Sequence, residues 1–380
     1  MDLTHIIPSY QPLPLPAPLW LLNVLLVLGF YLHVLPMNIV MGGTLMAAAM
    51  FLKAGPKPDS PMYRSAKELA QTLPVFVSFT ITQGIVPLLF LQLLYGPLFY
   101  TSSILMAGCW IGIIVLLIVA YYGCYFVIYK LFNEDSQKEN GLAIAATLFV
   151  SFCLFLLIGF IISSNMHLML HPEKWAEMYK HSPNGLNFFL GDKQQIPRFL
   201  HFFFSSIAMT GLFIGFLGTR KKERDPEQAD WMIKKGSLVY SIVSTLQIAI
   251  GFHFLFSLPQ EIREQFMSGN SLMSYVFISS IALAVISIIL GFSASNSGSV
   301  KFLKSTMHTA FLVVLTMVIS RHFLRNAMAA PFVQPEKLSV EPQWDLLGIF
   351  VLSAVGLIVY LVWLVKTVTH NNPTQSHSNS

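Results

Sequence analysis

Apolar residues in this chain fall into long runs separated by short polar stretches. A helix needs about 20 such residues to cross a hydrocarbon layer of about 30 Å. Nine runs meet that length, at roughly residues 18–52, 72–95, 103–131, 142–166, 198–218, 237–258, 272–292, 303–323 and 346–366. The pattern predicts an all-α membrane protein, a single bundle of about nine transmembrane helices over residues 1–370. The first and third runs are longer than a bilayer requires and are expected to tilt or project beyond it. The opening segment, MDLTHIIPSYQPLPLPAPLW, has neither a basic n-region nor a small-residue cleavage site, so the first run is expected to be a retained helix. The polar tail 371–380 (NNPTQSHSNS) is expected to be disordered.

The polar stretches set the orientation. If the N-terminus is outside, fifteen of the 23 Lys and Arg residues fall in inner loops, among them Lys53, Arg64, Lys130, Lys221 and Lys304. Cytoplasmic loops carry the excess of Lys and Arg, so N-out, C-in is predicted. The outer segment His167–Pro197 holds Pro172, Trp175, Pro183 and Asn184-Gly185, which reads as a structured loop with one short helix. The inner segment Arg220–Lys235 reads as charged and exposed.

Composition removes several alternatives. The chain is 54% apolar and 11% charged, against about 25% charged in globular domains. Its net charge of +5 is spread over loops, which points to topology and not to a nucleic-acid partner. Cys109, Cys124 and Cys153 all lie inside apolar runs, excluding a disulfide framework or a thiolate zinc site. No CxxCH occurs, so no haem is attached covalently to this chain, and no run carries HExxH. Carboxylates are nearly absent from the runs, which leaves carboxylate-rich di-iron and copper sites without ligands. The broken helices and midplane acids of a transporter are not evident.

The histidines carry the chemistry. An unpaired imidazole in hydrocarbon costs several kcal/mol, yet His33, His167, His201, His253, His308 and His322 all lie within or beside runs. With the N-terminus outside, His201 sits just inside the outer end of the fifth run. His253 lies about 8 Å from the outer end of the sixth, and His167 and His322 end their runs on the same side. Only His308 lies toward the inner side. Arg198, Arg321 and Arg325 share the outer leaflet. Imidazole is a good axial ligand for haem iron, and arginines can pair with propionates. Non-covalent haem is the chemistry this convergence points to, with a polar network under a hydrophilic cap as the alternative. Ser205, Ser206, Ala208, Gly211 and Gly215 leave space beside His201 for a flat group or for a neighbouring helix.

His308 and His322 are fourteen residues apart on one face, about 21 Å along the axis. That spacing stacks two haems in the b subunits of quinol:cytochrome c reductases. The plan needs a second helix with matching spacing. His167 and His181 have it, but Pro172 intervenes and the segment is extramembrane. In the first run, His33 precedes Pro36, which opens and kinks the helix, and Gly42-Gly43, which allow close packing.

These residues resemble subunit I of the cytochrome bd quinol oxidases. In that family a first-span histidine, followed by proline and glycine, ligates a high-spin b haem, as His33, Pro36 and Gly42 would here. The family's fifth span opens K/R-F-x-H, and its histidine holds the low-spin haem. Arg198-Phe199-Leu200-His201 is similar to it, and Gly84 through Gln92 to Gly96 and Asn165-Met166 are further likenesses. The low-spin haem's second ligand is a methionine near the start of the seventh span. Met273 stands there, with His253 or His322 as replacements and His308 as a further imidazole.

The resemblance implies haem b in one to three copies, and admits another haem type. Arg198 and Arg325 would contact propionates or quinone. It also implies quinol or quinone as partner, a second membrane subunit and the bacterial inner membrane. The chain departs from the family in having no acid between Cys109 and Tyr129 and no intact GRQPW signature near Arg321–Met328. Its loop between the sixth and seventh runs is short, Leu258–Ser271, and keeps Gln260, Glu261 and Glu264. These departures favour a second expectation, an electron-transfer subunit linking quinone to an external multihaem c-type cytochrome or reductase without oxygen reduction.

Overall fold

The computed structural model describes residues 13–55, 57–132 and 141–370; the tail read as disordered lies outside them. Eleven α-helices occur among the described residues, in order α1 (Leu19–Ala54), α2 (Pro61–Leu105), α3 (Ala107–Phe132), α4 (Gly141–Leu168), α5 (Trp175–His181), α6 (Gln195–Thr219), α7 (Pro226–Ser257), α8 (Gln260–Met267), α9 (Leu272–Ser297), α10 (Val300–Ala329) and α11 (Trp344–His370). Eight of them, α1, α2, α3, α4, α6, α7, α9 and α10, are long and apolar enough to cross a membrane. Large apolar side chains such as Ile111, Ile114, Leu142 and Phe149 stay exposed on the outside of the helices, as lipid contact requires.

Contacts divide the chain into two units. One is built from residues 23–334. In the other, Leu15 and Val340 form an isolated parallel bridge. There the Leu15 N–H donates to Ser339 O at 2.8 Å, and the Glu341 N–H donates to Leu15 O at 2.9 Å. This short pairing precedes α11.

Two expected boundaries moved. Among the described residues α2, at 45 residues, is longer than α1 and α3, which match the two runs expected to exceed the bilayer. Residues 61–71 look like a charged loop, but Ser60 caps them by accepting from the Tyr63 N–H at 3.2 Å, and Pro61 stands at the first helical position. Their apolar stripe, Tyr63, Ala66, Leu69, Ala70 and Leu73, is fully packed. Beyond residue 95 the chain kinks instead of ending. Tyr95 leaves helical geometry (φ −129°, ψ 30°) two residues before Pro97, and the helix then resumes. The segment Arg220–Lys235 is likewise less exposed than its charge suggested. Asp225 caps α7 through the Gln228 N–H at 3.1 Å, and Ala229, Met232 and Ile233 are buried.

Two core clusters fill the end of the unit that carries the basic loops. One joins Val40, Phe51, Leu69, Leu73, Val127, Leu148 and Ile214. The other joins Ala208, Leu212, Tyr240, Ala294 and Leu303. Close helix approach makes them possible: a Cβ on Gly211 would lie 2.7 Å from the Gly236 carbonyl oxygen, so α6 and α7 touch backbone to backbone. Ion pairs tie this basic end together, Lys221 with Glu68 and Arg64 with Asp225. The opposite end is covered by the segment between α4 and α6, which contains α5; we call it the cap end.

Candidate haem site

Toward the cap end the bundle opens into two apolar cavities. The first, about 210 Å³, is lined by α1, α6, α7, α8, α9 and α10 and holds His201. The second, about 350 Å³, is lined by α1, α2, α3, α4, α6 and α10 and holds His33. Phe30, Arg198, Phe202 and Arg321 line both, so the cavities share a wall.

His33 is held in one state. Its Nδ1 lies 3.0 Å from the Thr80 carbonyl oxygen. A carbonyl only accepts, so Nδ1 carries the proton and Nε2 keeps its lone pair, the form that ligates a metal. Gly84, one turn beyond Thr80, lies against the ring, where a Cβ would come 2.9 Å from His33 Cε1. The Thr80-to-Gly84 spacing thus supplies both an acceptor and a space, a signal the sequence held and the histidine pattern alone did not reveal.

His201 is placed differently. Its Nδ1 is buried and has no hydrogen-bond partner, an arrangement that costs about 1–3 kcal/mol unless something else engages the ring. Gly251 of α7 faces it, with a would-be Cβ 3.3 Å from His201 Cε1. The small residues following His201 divide their work. Ser205 and Ala208 line the cavity, while Ser206 and Gly211 receive Gly42 of α1 and Gly236 of α7. Ser206 and Gly211 thus serve close helix packing, while Ser205 and Ala208 border open volume beside His201.

Three guanidiniums surround the shared wall. Arg198 and Arg325 are 7% and 6% exposed, and among the described residues none of Arg198, Arg321 and Arg325 has a carboxylate within ion-pair distance. They rest on rings instead: Arg321 lies 4.1 Å from the Phe30 centroid, Arg325 5.1 Å from Tyr95 and Arg198 5.7 Å from Phe254. Burying a cation without a counter-charge costs several kcal/mol. Among the described residues no Asp or Glu lines either cavity. Two imidazoles in apolar cavities, walled by cations that lack anions, fit a flat, apolar, dianionic, iron-bearing group such as haem.

The other sequence candidates lie elsewhere. His322 is engaged at both nitrogens, Nδ1 2.6 Å from Arg325 and Nε2 3.2 Å from the Asn326 amide, and lines neither cavity. Because a guanidinium only donates, His322 Nδ1 accepts from Arg325. His253 is exposed on α7, and His308 is exposed with Nδ1 2.7 Å from Lys304 O. Met273 does not line the His201 cavity; the thioethers that do are Met209 and Met317. His167 belongs to the cap, where its Nδ1 accepts from Arg198 at 3.1 Å and its Nε2 lies 3.0 Å from Asp192 Oδ1.

No family model matches the chain, and no curated protein matches it in sequence. A solved structure does match: the bd oxidase from Geobacillus thermodenitrificans, at 12% identity and a TM-score of 0.63, covering 93% of this chain and 98% of that one. The fold is like that of a bd oxidase. At 12% identity the likeness shows the fold alone, that of a multi-pass helical membrane protein, and says nothing about which side chains do chemistry.

Proposed function

We propose that this chain is the haem-carrying membrane subunit of a bd oxidase-like respiratory complex, moving electrons between quinol and haem in a bacterial inner membrane. The observation that carries this reading is the pair of imidazole-bearing cavities that share a wall of arginines without carboxylates. His33 would hold one haem through Nε2, with Thr80 fixing its tautomer, and His201 would hold another. Arg198, Arg321 and Arg325 would neutralise the propionates, and the aromatic wall of Phe30 and Phe202 keeps water out. Haem supplies one-electron redox chemistry at a potential set by its ligands and by nearby charge. Haem b fits the absence of a covalent attachment motif, and a second membrane subunit and a quinone site would complete the complex. The bd oxidase fold supports this reading without fixing haem number or type.

One observation favours a variant of this reading in which oxygen is not reduced. Oxygen reduction consumes protons, and no carboxylate lines either cavity among the described residues. The chain would then pass electrons between quinone and an external multihaem c-type cytochrome or reductase.

The full-length protein in detergent tests both. It should show a Soret band and a pyridine haemochrome of b type, and His33→Ala and His201→Ala should each remove a different component of the reduced-minus-oxidised spectrum. Absence of any Soret band would overturn the haem assignment. If the reduced protein binds carbon monoxide and consumes oxygen with quinol, the oxidase form stands; if it does neither, the electron-transfer form stands.

A further inference from the structure

The cap holds a second cluster of ligand-type side chains that the cavities do not use. His167 ends α4 and is fully buried. His171 follows four residues later, beyond the helix end, and Asp192 lies in the segment leading into α6; their side chains are 14% and 20% exposed. One ligand atom from each of the three lies within 4.8 Å of the others. His167 Nε2 is 3.0 Å from Asp192 Oδ1, and His171 Nε2 is 4.0 Å from Asp192 Oδ2. A tetrahedral zinc ion with bonds near 2.0–2.2 Å spaces its ligands roughly 3.3 Å apart, so these atoms already surround a site of the right size. The two imidazoles meet edge to face, their centroids 4.6 Å apart and their planes at 70°.

We propose that His167 Nε2, His171 Nε2 and the Asp192 carboxylate bind a divalent first-row metal ion of the zinc class at the cap. Two further observations point to a ligand. Both Nε2 atoms are buried and neither has a hydrogen-bond partner outside the cluster. His171 Nδ1 lies 2.9 Å from Glu173 Oε1; the carboxylate accepts, so Nδ1 holds the proton and Nε2 presents its lone pair. This carboxylate–imidazole pairing commonly orients zinc-bound histidines. The Gln194 N–H donates to Asp192 Oδ1 at 2.6 Å, which anchors the carboxylate and leaves Oδ2 free. Two imidazoles and one carboxylate with a fourth position open form a donor set suited to zinc.

Arg198 competes with the ion. Its Nη1 lies 3.1 Å from His167 Nδ1 and can only donate, so without an ion His167 keeps its proton on Nε2. Metal binding requires that proton to move to Nδ1, with no net release, and Arg198 to turn away. Arg198 lines both cavities, so ion binding at the cap is linked to the charge facing them.

The test uses the tag-free, full-length protein in detergent, stripped with chelator and titrated with Co²⁺ and then Zn²⁺. One Co²⁺ per chain should bind with visible d–d absorption, and Zn²⁺ should displace it. His171→Ala and Asp192→Asn should each weaken Co²⁺ binding at least 30-fold, and Glu173→Gln about tenfold. His253→Ala and His308→Ala should leave it unchanged, and gel-filtration profiles check that every variant stays folded. If the wild-type protein shows no stoichiometric Co²⁺ site, or if folded Asp192→Asn and His171→Ala bind as tightly as wild type, the proposal is wrong.

Discussion

The two ends of the helical unit are built on opposite principles. At the basic end, helices approach until backbone meets backbone, and Leu, Ala and Val fill the space left over. Toward the cap end the same helices diverge around two cavities whose walls carry imidazoles and guanidiniums. Empty apolar volume of this kind forfeits dispersion contacts, and uncompensated cations add to the penalty. A chain that packs one end so closely has the means to pack the other. On the proposed reading, the hollow end is space kept for a ligand, and the packed end is the scaffold that holds its walls apart.

The comparison breaks most decisively by reversing each half. Gly211→Val places a branched side chain against the Gly236 carbonyl, a backbone atom that cannot swing aside. It should destabilise the protein by about 3 kcal/mol, seen as a fall in Tm and loss of monodisperse material regardless of haem content. Ala284→Phe fills part of the His201 cavity. It should leave the Tm of the haem-free protein unchanged or higher while removing most of the haem held by His201. Should the two substitutions lower Tm equally, the ends do not differ as described.

Within the hollow half the two imidazoles differ as well. His33 is fixed by Thr80 and tightly backed by Gly84, whereas His201 has no hydrogen bond at Nδ1 and a looser neighbour in Gly251. A methyl group at Gly84 would press on a ring that cannot shift without breaking its bond to Thr80. Gly84→Ala should therefore weaken haem retention at the His33 site about tenfold, and Gly251→Ala should weaken retention at His201 by only about threefold, each about 1.4 kcal/mol or less. Titrating haem into stripped protein gives both values. Equal losses, or a larger loss at Gly251, would remove the distinction.

Much of this architecture was legible before any coordinates. Hydrophobic runs located the helices because hydrocarbon leaves a buried backbone few other options. The histidine–proline–glycine order around His33 and the Arg198–His201 segment marked the two cavities. What stayed hidden depended on contacts between distant segments. Nothing local distinguishes His322, whose nitrogens are taken by Arg325 and Asn326, from His201, whose ring is free. Thr80 becomes a partner for His33 only when α2 lies beside α1. The charged segments 61–71 and 226–235 look like loops until their caps and apolar stripes are counted together. His171 and Asp192 meet only through the fold of the cap.

The two ends also close with different chemistry, and pH separates them. Lys–Glu and Arg–Asp pairs hold the basic end, while the cap end rests on Asp192 between two imidazoles. Burial alone would raise the Asp192 pKa. Hydrogen bonds from His167 and the Gln194 N–H, together with the adjacent imidazoles, outweigh it and hold the carboxyl near 2. The unfolded value is about 3.9. A carboxyl depressed by folding stabilises the protein where it is ionised. Its contribution is complete above about pH 4 and disappears as the pH falls toward 2. With chelator present to remove any bound metal, Asp192→Asn should lower Tm by about 2 °C at pH 6, a small change because the carboxylate keeps contact with water. The gap between variant and wild type should close between pH 4 and 2. A gap that persists at pH 2, or that opens on acidification, would mean that the Asp192 charge does not hold the cap.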